Sequence, residues 1–446
     1  MLAQDAIRAP AAPATQTAAQ PKTAPPAADA PRRRRGSRRD SILSSPIFET
    51  LQISDFRWIW VGSFISFMAM NMQMITRGWL VLRLENDSPL ALVLVMVSFA
   101  APMTIVSLVG GALADRFPKK NLVIISQTVN AVLTFILAML DASGTIWFGA
   151  VLIIGVLNGS MMAINMPSRQ ALISDIVPET KLMNAVALNN SAMNLTRIVG
   201  PAVAGFLIIF IDTSGVFYLI SFIYVFAVLS LFMVKTNTVQ ARKDAKKSVG
   251  KDIFEGLRYV WADMQLRGLI MMAFLPSLFG FTLFALLPVW AREALNVNSS
   301  DLGILMTMMG VGALIGTLGL AGVRGFNRRG MLLLGCGVTW GIALIALANS
   351  MIFPVAMPFL LIIGLISSVH MSLNMTLTQL IAAPEMRGRV MSIMMMTFGL
   401  MPIGALPFGT IAEYIGTANA LTISGAMLSL LILAFAFAYP AFRRIE

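Results

Sequence analysis

Apolar residues in this chain run in long unbroken stretches, separated by connectors that are mostly short and polar. A helix that crosses a bilayer needs about 20 mostly apolar residues. Twelve segments meet that length: 58–82, 89–113, 121–140, 146–166, 183–209, 214–234, 268–291, 301–321, 331–349, 353–374, 390–412 and 418–440. The one long connector, 235–267, is polar and contains Arg242-Lys243-Asp-Ala-Lys246-Lys247. It divides the chain into two six-span halves, 51–234 and 268–446. The pattern predicts an all-α integral membrane protein with twelve transmembrane helices in two pseudo-symmetric halves.

Composition agrees. Of 446 residues, 57% are hydrophobic and only 12% charged, with a mean hydropathy of +0.79. Soluble domains carry about 25% charged residues, so lipid must be the solvent for most of this apolar surface. One cysteine, Cys336, makes no internal disulfide, and with a single histidine it argues against a protein-built zinc site. No Walker A glycine loop is present, and no soluble segment is large enough for a separate catalytic site. We therefore expect neither an enzyme nor a bound cofactor.

The net charge of +12 is placed for a membrane, not for nucleic acid. Residues 1–50 are rich in Ala and Pro and include Arg32-Arg33-Arg34-Arg35-Gly-Ser-Arg38-Arg39. That composition predicts a disordered tail whose cations meet anionic lipid headgroups. No cleavable signal peptide is evident. The connectors after even-numbered spans hold eighteen Lys and Arg residues; those after odd-numbered spans hold two, Arg83 and Arg292. The positive-inside rule puts the first set, and both termini, in the cytoplasm. Trp58, Trp60, Trp147 and Trp290 fall near expected interfaces.

The halves repeat weakly. Arg324-Gly-Phe-Asn-Arg328-Arg329 parallels Arg116-Phe-Pro-Lys119-Lys120, and Pro178-Glu179-Thr-Lys181 parallels Pro384-Glu385-Met-Arg387. Duplicated six-span units are the framework of alternating-access carriers, with the substrate near the midplane between them.

One connector carries a specific pattern: Gly111-Ala-Leu-Ala-Asp115-Arg116-Phe-Pro-Lys119-Lys120. It resembles the loop between helices 2 and 3 of major facilitator superfamily (MFS) transporters, with Pro118 where that loop usually has Gly. The resemblance extends over about 50–440. Phe56-Arg57, Gln73, Gly78-Trp79-Leu80-Val81, Pro167-Ser-Arg169-Gln170, Arg197-Ile-Val-Gly200-Pro201 and Pro384-Glu385-Met-Arg387-Gly388-Arg389-Val390 are similar to a bacterial branch of the superfamily. That branch contains siderophore exporters, macrolide efflux pumps and a lysophospholipid flippase. The resemblance implies a gating role for Gly111, Asp115, Arg116, Lys119 and Lys120. It implies cytoplasmic contacts by Arg169, Glu179, Glu385, Arg387 and Arg389. Span 5 carries Ala187-x8-Thr196-x3-Gly200-Pro201-x2-Ala204-Gly205, a degenerate form of the glycine–proline motif of drug–proton antiporters. There Gly200, Pro201 and Gly205 would pack helix 5 tightly on a neighbour.

No acidic residue lies deep in a span. Three ionisable side chains do: Arg77, Arg197 and His370. A cation at a helix centre costs about 2.5–3.5 kcal/mol on insertion scales, so each should face a cavity or a partner. Asn190, Asn194, Arg197 and Pro201 share one helix face. They form either a cavity wall that binds an electron-rich substrate group or a structural set bonded to the next helix. Ser63, Ser66, Met70, Gln73 and Arg77 form a similar stripe, and Arg77 could instead snorkel to the outer surface. His370 and Asn374 lie one turn apart, as a titrating pair or as neutral interhelical bonders.

The reading is a monomeric carrier of the bacterial inner membrane that exports a small amphipathic or hydrophobic molecule by alternating access. Its partners are that substrate and lipid; the resemblance adds protons as the coupling ion. Alternatives are an importer, a lysophospholipid flippase, or a non-transporting membrane sensor or assembly factor.

Overall fold

The computed structural model describes residues 49–235, 249–322 and 328–445. The expected tail (all but residues 49–50) and the Arg242–Lys247 run lie outside the described residues. So do several side chains, including those at 108–112 and 114–116.

The described chain is helical. In order come α1 Ser54–Leu84, α2 Pro89–Arg116, α3 Lys119–Ala142, α4 Phe148–Ile176, α5 Glu179–Phe232, α6 Val249–Ala262, α7 Met264–Leu275, α8 Thr282–Leu295, α9 Ser299–Gly322, α10 Arg329–Ala348, α11 Phe353–Ile381, α12 Arg387–Gly399, α13 Met401–Ile415 and α14 Thr417–Ala438. Among the described residues, ten helical stretches are long and apolar enough to cross a membrane. Each of the twelve predicted segments overlaps helix, and the two numbers differ for two physical reasons.

First, α5 has 54 residues, about 81 Å at 1.5 Å per residue, far more than a bilayer core of about 30 Å. Asp212 breaks it, with φ 57° and ψ 177°. This leaves arms at 179–211 and 213–232, matching the predicted fifth and sixth spans. Second, the predicted span 390–412 is divided at Leu400 into α12 and α13. Pro402 lies in the first turn of α13, where its missing N–H costs nothing, whereas a continuous helix would need that donor.

A second proline reshapes the predicted span 268–291. Residues Pro276–Gly280 between α7 and α8 form one π turn, closed by the Phe281 amide donating to the Pro276 carbonyl at 3.0 Å. The predicted start at 268 moves to Met264, where Asp263 caps α7 by accepting from the Gln265 and Leu266 amides. The linker, expected to be simply polar, contains the helix α6.

Among the described residues, the chain turns at 117–118, 177–178 and 382–386 lie on one face, here the basic face; the turns at 85–88, 143–147, 212, 296–298, 349–352 and 416 define the opposite face. The halves meet through α5 on α9 and through α2 on α12 and α13. These contacts are close because small residues line them. A Cβ on Gly205 would lie 2.3 Å from the Ser299 carbonyl oxygen, and one on Gly303 would lie 3.0 Å from that of Pro201. Large apolar side chains such as Phe206, Phe222, Phe226 and Leu318 remain exposed on the outside, as lipid requires. Trp290, expected at an interface, is instead fully buried and donates its indole N–H to the Ala348 carbonyl at 3.2 Å.

Candidate functional site

Polar stripes on α1, α3 and α4 face each other inside the N-terminal half. Gln73 donates to the Thr134 hydroxyl at 3.0 Å. Arg77 is buried and donates to Asn158 Oδ1 at 2.9 Å, and Asn158 donates on to Asn130 Oδ1 at 2.8 Å. Arg77 therefore does not snorkel: its head turns inward, and its Nε has no partner among the described residues. Hydrogen bonds to a charged group contribute about 1.5–3 kcal/mol each, which offsets much of the cost of its position.

Arg169 departs further from expectation. It is buried, not a surface contact of the basic face. Its guanidinium donates to Ser63 Oγ at 2.6 Å and to Asn165 Oδ1 at 3.2 Å, and lies 5.7 Å over the Phe67 ring. The reason is that α4 continues to Ile176, ten residues past the predicted end of its span. Asn158, Asn165 and Arg169 then fall at i, i+7 and i+11 on one face, opposite Gln127, Asn130 and Thr134 on α3. Sequence reasoning missed both stripes; their helical spacing was the signal that could have revealed them.

Helix α5 contributes a different surface. Met183, Ala187, Asn190, Asn194 and Arg197 are exposed, whereas Pro201, Ala204, Gly205 and Ile208 further along are buried. Asn190, Asn194 and Arg197 make no hydrogen bond or ion pair among the described residues. Thr196 and Gly200 on the adjacent face pack against Asn71 of α1, and Ile198 packs against Gly310 of α9. Arg197 thus stands at the junction of the two halves. It is 15 residues from Asp212, about 22 Å along the helix, and so at mid-depth. Gly200, Pro201 and Gly205, predicted to pack on one neighbour, pack on two, α1 and α9.

His370 and Asn374 do not join this surface. Both are about 1% exposed within the C-terminal half. The His370 ring nitrogens lie 3.1 Å from the Leu333 carbonyl oxygen and 2.8 Å from that of Met272; Asn374 donates to the Leu269 carbonyl at 3.1 Å.

At the opposite face, bonds cross between halves. Arg292 lies 2.8 Å from Asp87, and Glu413 accepts from the Ser88 hydroxyl at 2.9 Å and from the Leu90 amide at 3.3 Å. Arg83 with Asp141 and Asp212, and Glu293 with Thr417, tie helices within each half. At the basic face, among the described residues, Lys119 pairs with Asp175 at 2.5 Å within the N-terminal half, Lys181 with Glu49 just before it at 2.6 Å, and Arg389 with Glu255 of the linker helix α6 at 2.7 Å. Lys120 donates to the Val234 carbonyl, and Arg387 to that of Ala382. Glu179 and Glu385 are exposed there. Gly111, Asp115 and Arg116 of the expected gate lie outside the residues whose side chains are described.

A family model described as "Transmembrane secretion effector" matches residues 45–445. The chain is 27% identical over 386 residues to the staphyloferrin A transporter of Staphylococcus aureus, covering 85% of this chain and 95% of that one. It is 23% identical to the multidrug efflux pump Tap of Mycolicibacterium fortuitum (80% and 89% covered) and 24% identical to macrolide efflux protein A of Streptococcus pyogenes (84% and 93%). Among solved structures, a bacterial homolog of the human lysosomal transporter Spinster superposes with TM-score 0.67 at 14% identity, over 87% of this chain and 97% of that one. The nucleoside transporter NupG superposes with TM-score 0.68 at 14% identity, over 88% and 100%. These two establish the fold.

Proposed function

We propose, from the premise that the chain belongs to the transmembrane secretion effector family of MFS-type transporters, that it exports a small amphipathic molecule by alternating access. The observation that carries this reading is Arg197. It is exposed, without a partner among the described residues, and set at mid-depth where the halves meet. It ends a polar stripe that begins at Asn190.

Twelve crossings follow if the arms of α5 count as two and α12 with α13 as one. Without Arg169, which lies buried in α4, seventeen of the nineteen connector cations then lie on the cytoplasmic side. On that orientation the exposed surface of Asn190, Asn194 and Arg197 lines a cleft open to the cytoplasm and sealed outside by Arg292–Asp87 and Glu413–Ser88. Residues 51–234 and 268–446 act as two rocking bodies. Export is favoured because two of the relatives are described as efflux proteins.

The substrate needs an electron-rich group. Arg77 and Arg169 place two guanidiniums in the interior of the N-terminal half, and Arg197 presents a third on its surface at the junction of the halves. In a low-dielectric site such a potential attracts a carboxylate, phosphate or polarised carbonyl. The planar fork of Arg197 can hold a carboxylate by two parallel bonds.

The test is transport by vesicles of inverted orientation. Energised accumulation of a substrate found by screening a pump-deficient host supports export. Arg197→Lys should raise the apparent substrate constant, and Arg197→Ala should abolish transport at equal amounts of folded protein. If Arg197→Ala leaves affinity intact and lowers only the folded yield, the residue is structural and the site lies elsewhere.

A further inference from the structure

His370 is buried at the junction of α7, α10 and α11. Its two bonding partners are both backbone carbonyl oxygens, which only accept. A neutral imidazole has one N–H; its other nitrogen is itself an acceptor. In the neutral ring one of the two contacts, at 2.8 or 3.1 Å, would therefore set a lone pair against a carbonyl oxygen. Only the doubly protonated ring satisfies both.

The Met272 carbonyl is available for a local reason. Its helical partner would be the amide four residues on, and that residue is Pro276, which has no N–H. Inside a membrane an orphaned carbonyl must find a donor from a neighbour, and His370 Nε2 provides it. One turn away Asn374 reaches the Leu269 carbonyl on the same helix, leaving its own Oδ1 without a partner among the described residues. A cavity of about 10 Å³ touches His370, Asn374, Ser277 and Pro276, close to the volume that holds one water.

No carboxylate balances a charge here. Helices α7, α10, α11, α12 and α14 carry no Asp or Glu. Their other titratable or cationic side chains are engaged or point elsewhere. Arg267 stacks near Trp261 and Tyr439, Arg387 bonds the Ala382 carbonyl, and Arg389 pairs with Glu255. Cys336 lines a groove that opens on the outside of α10, and Arg328 and Arg329 begin that helix at the basic face. Protonation of the ring is thus set by where α7 and α10 hold their carbonyls.

We propose that His370 is the proton-binding site of the transport cycle. With the opposite face closed, the ring holds a second proton between the two carbonyls. When the span 264–295 moves, the Met272 carbonyl withdraws and that proton returns to water through the small cavity. The same span carries Arg292 at its far end, beyond the π turn at Pro276–Gly280, so one continuous segment joins the proton site to the contact with Asp87. The consequence for coupling rests on the transporter reading, while the protonation itself does not.

The chain has a single histidine, so histidine labelled with ¹⁵N reports His370 alone in a full-length protein purified without a polyhistidine tag. Asp87→Cys with Arg292→Cys, in a Cys336→Ala background, locks the opposite face when oxidised. In bilayers, the locked protein should show both ring nitrogens protonated. The unlocked protein should add a singly protonated population that grows as pH rises through about 5 to 8. One unprotonated nitrogen in the locked protein across that range would overturn the site. Identical spectra in both forms would overturn the link between proton and helix movement. Neither outcome bears on whether the chain moves a solute, which the vesicle assay decides separately.

Discussion

Arg292 Nη1 lies 2.8 Å from Asp87 Oδ1, joining the last turn of α8 to the turn between α1 and α2. The pair is the direct ionic contact across the opposite face among the described residues, and Arg292 also lies 5.5 Å over the Trp79 ring. Both side chains are more than a third exposed, so the pair contributes only about 0–1 kcal/mol. A gate built this way holds one state while remaining easy to open. Asp87→Asn should shift the balance toward the state open at that face by no more than about fivefold, with insertion unchanged. Spin-label distances between the halves in bilayers measure it. A shift of a hundredfold would mean the pair is buried in the membrane-embedded protein.

Glu413 acts differently. It belongs to α13 of one half yet accepts from the first turn of α2 in the other, at Ser88 and Leu90. A carboxylate at a helix N-terminus is favoured by the unsatisfied amides and the helix dipole, typically by about 0.3–1 kcal/mol. Glu413→Gln should weaken closure by a few fold. Spin-label distances between the halves measure it, and closure unchanged in Glu413→Gln would exclude this role.

Gly205 tests the packing. A Cβ there would meet the Ser299 carbonyl oxygen at 2.3 Å, a backbone atom that cannot swing aside. Gly205→Val should hold the halves apart at the opposite face and stop transport while the protein still inserts. Labelling at that face should rise. Normal transport by Gly205→Val would show that α5 and α9 never come this close.

Topology gives a further prediction. In a Cys336→Ala background, Ser143→Cys should react with an impermeant thiol reagent added to intact cells, and Glu385→Cys should not. Both positions are exposed, on opposite faces. The reverse pattern would invert the orientation.

Much of the helical layout was legible because lipid enforces long apolar runs. The Asp212 break was legible as a polar gap between two runs. The broken span at Leu400 was not, because Pro402 sits inside an apolar segment whose average hydropathy hides it. The polar interior was half legible. Arg77 and Gln73 stood out as isolated polar residues, but Arg77 meets Asn158, 81 residues away, and no local pattern encodes that pairing. Arg169 was misplaced because the helix end, not the side chain, was misjudged. His370 and Asn374 were recognised as one helix face, but their partners are backbone carbonyls, one exposed by Pro276, and a sequence does not display those as chemistry.

The central claim is a cleft reaching Arg197, open at the basic face and sealed at the opposite one. Asn194→Cys in a Cys336→Ala background tests it most directly. An impermeant thiol reagent should label this position rapidly in inverted vesicles. In intact cells it should label slowly, and not at all once Asp87→Cys and Arg292→Cys are oxidised to a disulfide. Labelling from outside that proceeds undiminished with the disulfide formed would contradict the account.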